Sequence, residues 1–180
     1  WLAAACCVGV GVFARPGRLT AIAVAVLLAV GIAEELTDMF DGIVARRTGA
    51  ASELGGLFDP LADSLARLAI YFALAMAGWV TIAVPLVMTA RDILVAYSRV
   101  VQARVGGKTS ARVAGKIKAW VQGTGFLLLV VVAWLAQNGF AGPANAARQV
   151  LSAVLIIVTA WSAWSYLRGA WPAARQLARP

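Results

Sequence analysis

The chain has 180 residues, 62% of them hydrophobic and only 13% charged, with a formal net charge of +8 and a mean hydropathy of +0.82. Soluble domains carry about 45–50% apolar and about 25% charged residues, so this composition excludes an ordinary water-soluble domain. It calls for one domain over 1–180 built from membrane-spanning helices. The basic residues flank apolar runs without any nucleic-acid-binding signature, which points to membrane lipid headgroups and not to nucleic acid.

A span needs about 20 predominantly apolar residues. Taken in chain order, apolar stretches occur near 1–13, 20–47, 54–78, 80–103, 116–137 and 147–168. Five of these are long enough to cross a bilayer. The first opens at Trp1 inside an apolar run and reads as the remainder of a spanning helix, in preference to a signal peptide. The expected fold is an all-α integral membrane protein, a six-transmembrane-helix bundle whose first helix is shortened at its N-terminus. Breaks at 14–19, 48–56, 104–115 and 138–146, with a tight turn at Gly78, separate the segments.

With six spans, Arg46, Arg47, Arg99, Arg104, Lys108, Arg112, Lys116, Lys118, Arg168, Arg175 and Arg179 fall on one side of the membrane. Arg15, Arg18 and Arg148 fall on the other. Basic residues favour the cytoplasmic side, which places 48–56 and 104–115 there and the chain in the cytoplasmic (inner) membrane. Cys6 and Cys7 lie in an apolar run and read as packing residues. The chain has no histidine, which removes histidine bases, nucleophiles and metal ligands.

All eight acidic residues lie between Glu34 and Asp92. Acids inside spans are costly and are functional candidates by default. Asp38 and Asp41 are spaced i,i+3, with Ala45 a further turn along, and Asp59 and Asp63 are spaced i,i+4. Residues at these spacings share a helix face, so each of two consecutive helices presents a pair of carboxylates. The short connection near 48–55 should bring the two pairs together. Four converging carboxylates repel strongly at low dielectric, and hard divalent cations with oxygen ligands, Mg²⁺ or Mn²⁺, are the natural remedy. Gly42, Ala45 and Gly55 leave the helix faces bare for a bulky ligand, although small residues also let membrane helices pack closely. Arg46 offers a fork-shaped donor for phosphate oxygens, with a positive-inside anchor as the alternative.

These residues resemble the signature of the CDP-alcohol phosphotransferase family, D-x2-D-G-x2-A-R-x8-G-x3-D-x3-D. All eight fixed positions are met, by Asp38, Asp41, Gly42, Ala45, Arg46, Gly55, Asp59 and Asp63. The resemblance implies a homodimer of six-helix protomers with a cytoplasm-facing, two-metal site. It implies that Asp38, Asp41, Asp59 and Asp63 ligate metal, and that Asp63 is also the catalytic base. Gly42, Ala45, Arg46 and Gly55 would bind the CDP-lipid. The acceptor hydroxyl would displace CMP from the β-phosphorus.

Farther along, Arg91-Asp92-Ile93 with Arg99, and Gly115-Lys116-Ile117-Lys118 with Gln122, look like segments of the bacterial phosphatidylglycerophosphate synthases within that family. Their donor is CDP-diacylglycerol and their acceptor glycerol 3-phosphate. Arg91, Arg99, Lys116 and Lys118 become candidates for binding the acceptor phosphate, with Thr109 and Ser110 as further donors. The plainer alternative is that Lys116 and Lys118 anchor a helix end and Arg91 pairs with Asp92. Relatives of this type often carry lysine after the last aspartate, where this chain has Ser64; the nearby cation is either missing or supplied from elsewhere, with Arg67 the candidate. Glu34, one turn before Asp38, is a candidate partner of the metal-bearing face or an acid neutralised by protonation. Other acceptors are inositol phosphate, inositol, serine or choline, and a remote alternative is a transporter using the acids as an ion path.

Overall fold

The computed structural model describes residues 19–48, 53–106 and 113–178. For 34–35, 37–48 and 53–60 it describes the backbone alone. Five helices account for most of the described residues, and no strand occurs among them. They are α1 (Ala21–Thr48), α2 (Glu53–Met76), α3 (Ala83–Arg104), α4 (Val113–Gln137) and α5 (Ala141–Leu177). The first apolar stretch, 1–13, lies outside the described residues.

The turns follow from glycine. Gly78 (φ 75°), Gly106 (φ 70°) and Gly139 (φ 97°) take the left-handed conformation that other residues avoid. After Gly78 the Trp79 amide donates back to the Leu74 carbonyl, and after Gly139 the Phe140 amide donates back to Leu135. These bonds use carbonyls that a helix end would otherwise leave unpaired. The α2–α3 and α4–α5 connections are therefore tight.

The longest helix, α5, packs against both α3 and α4, while α1 lies on α4 and α2 on α3. Leu27, Ile70, Met88, Phe126, Val130 and Leu155 belong to the shared core. Gly31 gives the Phe126 ring room to lie against α1. Gly125 does the same on α4, where an added Cβ would meet Leu155 at 3.0 Å and the Tyr71 hydroxyl at 3.1 Å. Large apolar side chains also cover the outside, among them Ile22, Tyr97, Trp120, Val150, Ile157 and Trp164. So much exposed apolar surface suits lipid and not water.

The all-helical membrane architecture agrees with the sequence. Among the described residues, α4 and α5 are long and apolar enough to cross a membrane by themselves, and the 21–33 part of α1 is a shorter apolar segment. The interiors of α2 and α3 carry charged residues, which include Asp63, Arg67, Arg91 and Asp92. The fifth helix is longer than its apolar stretch of 147–168 predicted, running 37 residues from 141 to 177. At 1.5 Å per residue it reaches about 55 Å, well beyond a hydrocarbon core of about 30 Å.

Candidate active site

The motif aspartates sit on two continuous helices joined by four residues, 49–52. Asp41 and Asp38 lie seven and ten residues before the end of α1, and Asp59 and Asp63 lie six and ten residues after the start of α2. Both pairs thus stand at matching levels, about 10 and about 15 Å from the connection. A second observation aligns the helices. Gly31 of α1 and Ile70 of α2, each 17 residues from the connection, line one small cavity with Gln122 and Phe126 of α4. The two helices therefore run antiparallel with their acids at one end.

The side chains of Asp38, Asp41, Ala45, Arg46 and Asp59 lie outside the described residues, as does that of Glu34, and of Gly42 and Gly55 only the helical backbone is described. Asp63 is described and exposed. The motif offers carboxylates alone, two on each helix, a chemistry that would fit oxygen-seeking Mg²⁺ or Mn²⁺ and would not suit zinc.

From Asp63 the structure leads directly to the basic residues. Arg67, one turn along α2 from Asp63, donates to the Ala119 carbonyl at 3.2 Å. Ala119 follows Lys118, whose ammonium approaches Asp92 Oδ1 at 3.2 Å. Arg91 Nη1 reaches that same oxygen at 2.7 Å. Arg91 also donates to Ser162 Oγ through Nη2 at 3.0 Å and Nε at 3.3 Å. Arg91 and Lys118 are 9% and 6% exposed, so both charges are buried and need this shared counter-ion. Arg91 lies 5.3 Å and Arg99 5.8 Å from the ring centre of Tyr166.

Of the four residues offered for the acceptor phosphate, the structure gathers Arg91, Arg99 and Lys118. Lys116 is exposed. Thr109 and Ser110 lie outside the described residues. The pairing of Arg91 with Asp92, the plainer alternative, is present, and Lys118 joins it. Among the described residues, Asp92 pairs with two of the cations, Arg91 and Lys118, and so leaves one positive charge of that trio in excess, while Arg99 lies over the Tyr166 ring. Two polar atoms in the cluster are buried without a hydrogen-bond partner, Asp92 Oδ2 and Arg99 Nε. Arg99 is consequently the cation with a donor unspent.

Sequence reasoning missed a set of residues on α5 and left Gln122 without a role. The Gln122 side-chain amide donates to Thr159 Oγ1 at 3.2 Å, and the Gln122 backbone carbonyl accepts the Tyr71 hydroxyl at 2.6 Å. With Arg91 on Ser162, these bonds tie α2, α3, α4 and α5 together at one level. The missed residues carried a readable signal: Ser152, Leu155, Thr159, Ser162 and Tyr166 follow alternating spacings of three and four along α5, and all are buried. Polar groups repeating on one face of a membrane helix mark an inward face, and here Thr159 and Ser162 are bonded across it.

The chain matches the model of the CDP-alcohol phosphatidyltransferase family over residues 2–167. It is 33% identical over 122 residues to a probable phosphatidylglycerophosphate synthase of Mycobacterium tuberculosis, covering 66% of this chain and 53% of that protein. It is 31% identical over 127 residues to a CDP-diacylglycerol–glycerol-3-phosphate 3-phosphatidyltransferase of Sodalis glossinidius, covering 66% of each. A protein of Treponema pallidum with the same name is 31% identical over 105 residues, covering 58% of this chain and 47% of its own length. The chain thus spans about half to two thirds of the length of these relatives. From the match over nearly its whole length, the chain belongs to the CDP-alcohol phosphatidyltransferase family.

Proposed function

We propose that this membrane transferase moves the phosphatidyl group of CDP-diacylglycerol to a hydroxyl of glycerol 3-phosphate and releases CMP. The observation that carries the acceptor assignment is the convergence of Arg91, Arg99 and Lys118 beside the helix that bears Asp63. An acceptor with a phosphate needs cations beyond those that serve the donor's diphosphate, and an uncharged alcohol does not. The names of the relatives, which specify glycerol 3-phosphate or phosphatidylglycerophosphate, support the same choice.

In this reading Asp38, Asp41, Asp59 and Asp63 hold Mg²⁺ or Mn²⁺ as a two-metal site. When bound, such ions neutralise the diphosphate and stabilise attacking and leaving oxygens. Arg46 contacts the diphosphate, and Gly42, Ala45 and Gly55 leave room for the CDP moiety. Arg99 takes the acceptor's phosphate and turns its hydroxyl toward the donor. Asp63 accepts the proton of that hydroxyl as the oxygen bonds to the β-phosphorus; the bond from that phosphorus to the CMP oxygen breaks, and CMP leaves. The site faces the cytoplasm, where the water-soluble acceptor is found and into which CMP is released, and the working unit is a homodimer.

The test uses purified protein, CDP-diacylglycerol and a panel of alcohols, with CMP release as the readout. Release is expected with glycerol 3-phosphate, stops on chelation with EDTA and returns with Mg²⁺ or Mn²⁺. Silence with every alcohol refutes the transfer, and release with only inositol, serine or choline refutes a phosphate-bearing acceptor. Activity undiminished by EDTA refutes the metal site. Arg99→Glu is expected to raise the KM for glycerol 3-phosphate by about tenfold or more, since a charge-assisted contact is worth about 1.5–3 kcal/mol. The KM for CDP-diacylglycerol should hardly move; an effect confined to the lipid substrate refutes the role given to Arg99.

A further inference from the structure

We propose that Tyr166 is a positioning residue for the acceptor-phosphate cations, and that the bare backbone of Gly115 is what admits it. The inference rests on the reading of a phosphate-bearing acceptor and deepens it by giving Tyr166 and Gly115 roles that neither the aspartate motif nor the relatives' names supply.

Tyr166 projects from α5 and is only 3% exposed. Two arginines of α3, eight residues apart in sequence, bring their guanidinium carbons to 5.3 and 5.8 Å from its ring centre. Like charges on flexible stems separate unless something holds them, and an aromatic ring at this range attracts each. Arg91 has other restraints, namely Asp92 and Ser162. Arg99 depends more on the ring, because its Nε is buried without a hydrogen-bond partner. The ring therefore holds in place the cation of the three that is bonded to neither Asp92 nor Ser162 among the described residues, which leaves its charge for the incoming phosphate.

The opposite side of Tyr166 meets α4 at Gly115. A Cβ there would stand 2.8 Å from the Tyr166 hydroxyl oxygen but 3.6 Å from its nearest ring carbons. Only the hydroxyl conflicts. Alanine is otherwise favoured over glycine within a helix, so a defect in Gly115→Ala must come from this contact and not from the helix itself. Removing the hydroxyl should then cure it.

The experiment measures KM separately for glycerol 3-phosphate and CDP-diacylglycerol with the full protein, alongside thermal melting. Tyr166→Leu is expected to raise the glycerol 3-phosphate KM by about tenfold, the loss expected from a desolvated cation–π contact, with little change for the lipid. Tyr166→Phe keeps the ring and should recover most of that loss. Gly115→Ala should raise the acceptor KM, and the double variant Gly115→Ala/Tyr166→Phe should return to the value of Tyr166→Phe alone. An unchanged acceptor KM in Tyr166→Leu, or an equal rise for both substrates, overturns the proposal. So does a Gly115→Ala defect that survives in the double variant, a comparison that still decides if Tyr166→Leu does not fold. Wild-type protein that uses only unphosphorylated alcohols overturns the functional reading and this inference with it. Wild-type use of glycerol 3-phosphate with a normal Tyr166→Leu overturns this inference alone.

Discussion

Asp63→Asn is expected to reduce CMP release by about 10²–10⁴-fold, the contribution of a well-placed general base, while the protein remains folded. Asparagine matches aspartate in shape but cannot accept the acceptor's proton at neutral pH, and its amide is a far weaker ligand for a hard cation. The side chain is exposed on α2, so the near-isosteric exchange leaves no cavity. Activity assays paired with thermal melting check both halves of the expectation. Full turnover in a folded Asp63→Asn protein would remove Asp63 from the mechanism. A mere loss of folding would show that its carboxylate is structural.

The second large effect concerns stability. Asp92→Ala is expected to cost about 3–5 kcal/mol, because it leaves buried charge uncompensated. Arg91 and Lys118 both lean on one oxygen of that carboxylate, at 2.7 and 3.2 Å. Without it two positive charges face each other in an apolar interior, and neither can reach water without leaving its helix contacts. Lys118→Met should be much milder, since Arg91 and Asp92 then remain as a neutral pair beside a well-packed apolar side chain. Melting temperatures of the two variants in lipid or detergent measure the difference. If Asp92→Ala melts with the wild type, the cations do not depend on their shared partner.

Much of this was legible in the sequence because the informative signals were local. Apolar stretches at 20–47, 54–78, 80–103 and 116–137 became helices at 21–48, 53–76, 83–104 and 113–137. Hydropathy marks where a chain must bury its backbone polar groups in helical bonds, and that requirement fixes the element. It does not mark where a helix stops once it leaves lipid. That is why the last helix outran its apolar stretch at both ends: Pro143 is harmless in a first turn, where its missing amide is not needed. Beyond residue 168 the chain stays helical although it is no longer uniformly apolar.

The site divides in the same way. The motif aspartates could be read from spacing within two adjacent helices. Ser162 and Tyr166 could not, because their partners lie 71 and 75 residues away on α3 and nothing in a short window joins them. Their signal was periodic instead of local, a row of polar groups along an otherwise greasy helix. Arg91 was read as a ligand and as an ion-pair partner, and the structure shows the second arrangement.

The length of α5 has a consequence for how the protein tolerates different membranes. Its polar row and its contacts with Arg91 and Gln122 lie between 152 and 166, whereas the residues beyond 168 overhang, with Arg175 stacked 5.3 Å from the Trp171 ring. A helix with spare length at one end works like a tide gauge. When the bilayer thickens, more of the overhang can be drawn in, and when it thins, more can emerge, while the inner register stays fixed. Variation in lipid chain length is thereby absorbed at the margin of the bundle, away from the cations proposed to receive the acceptor.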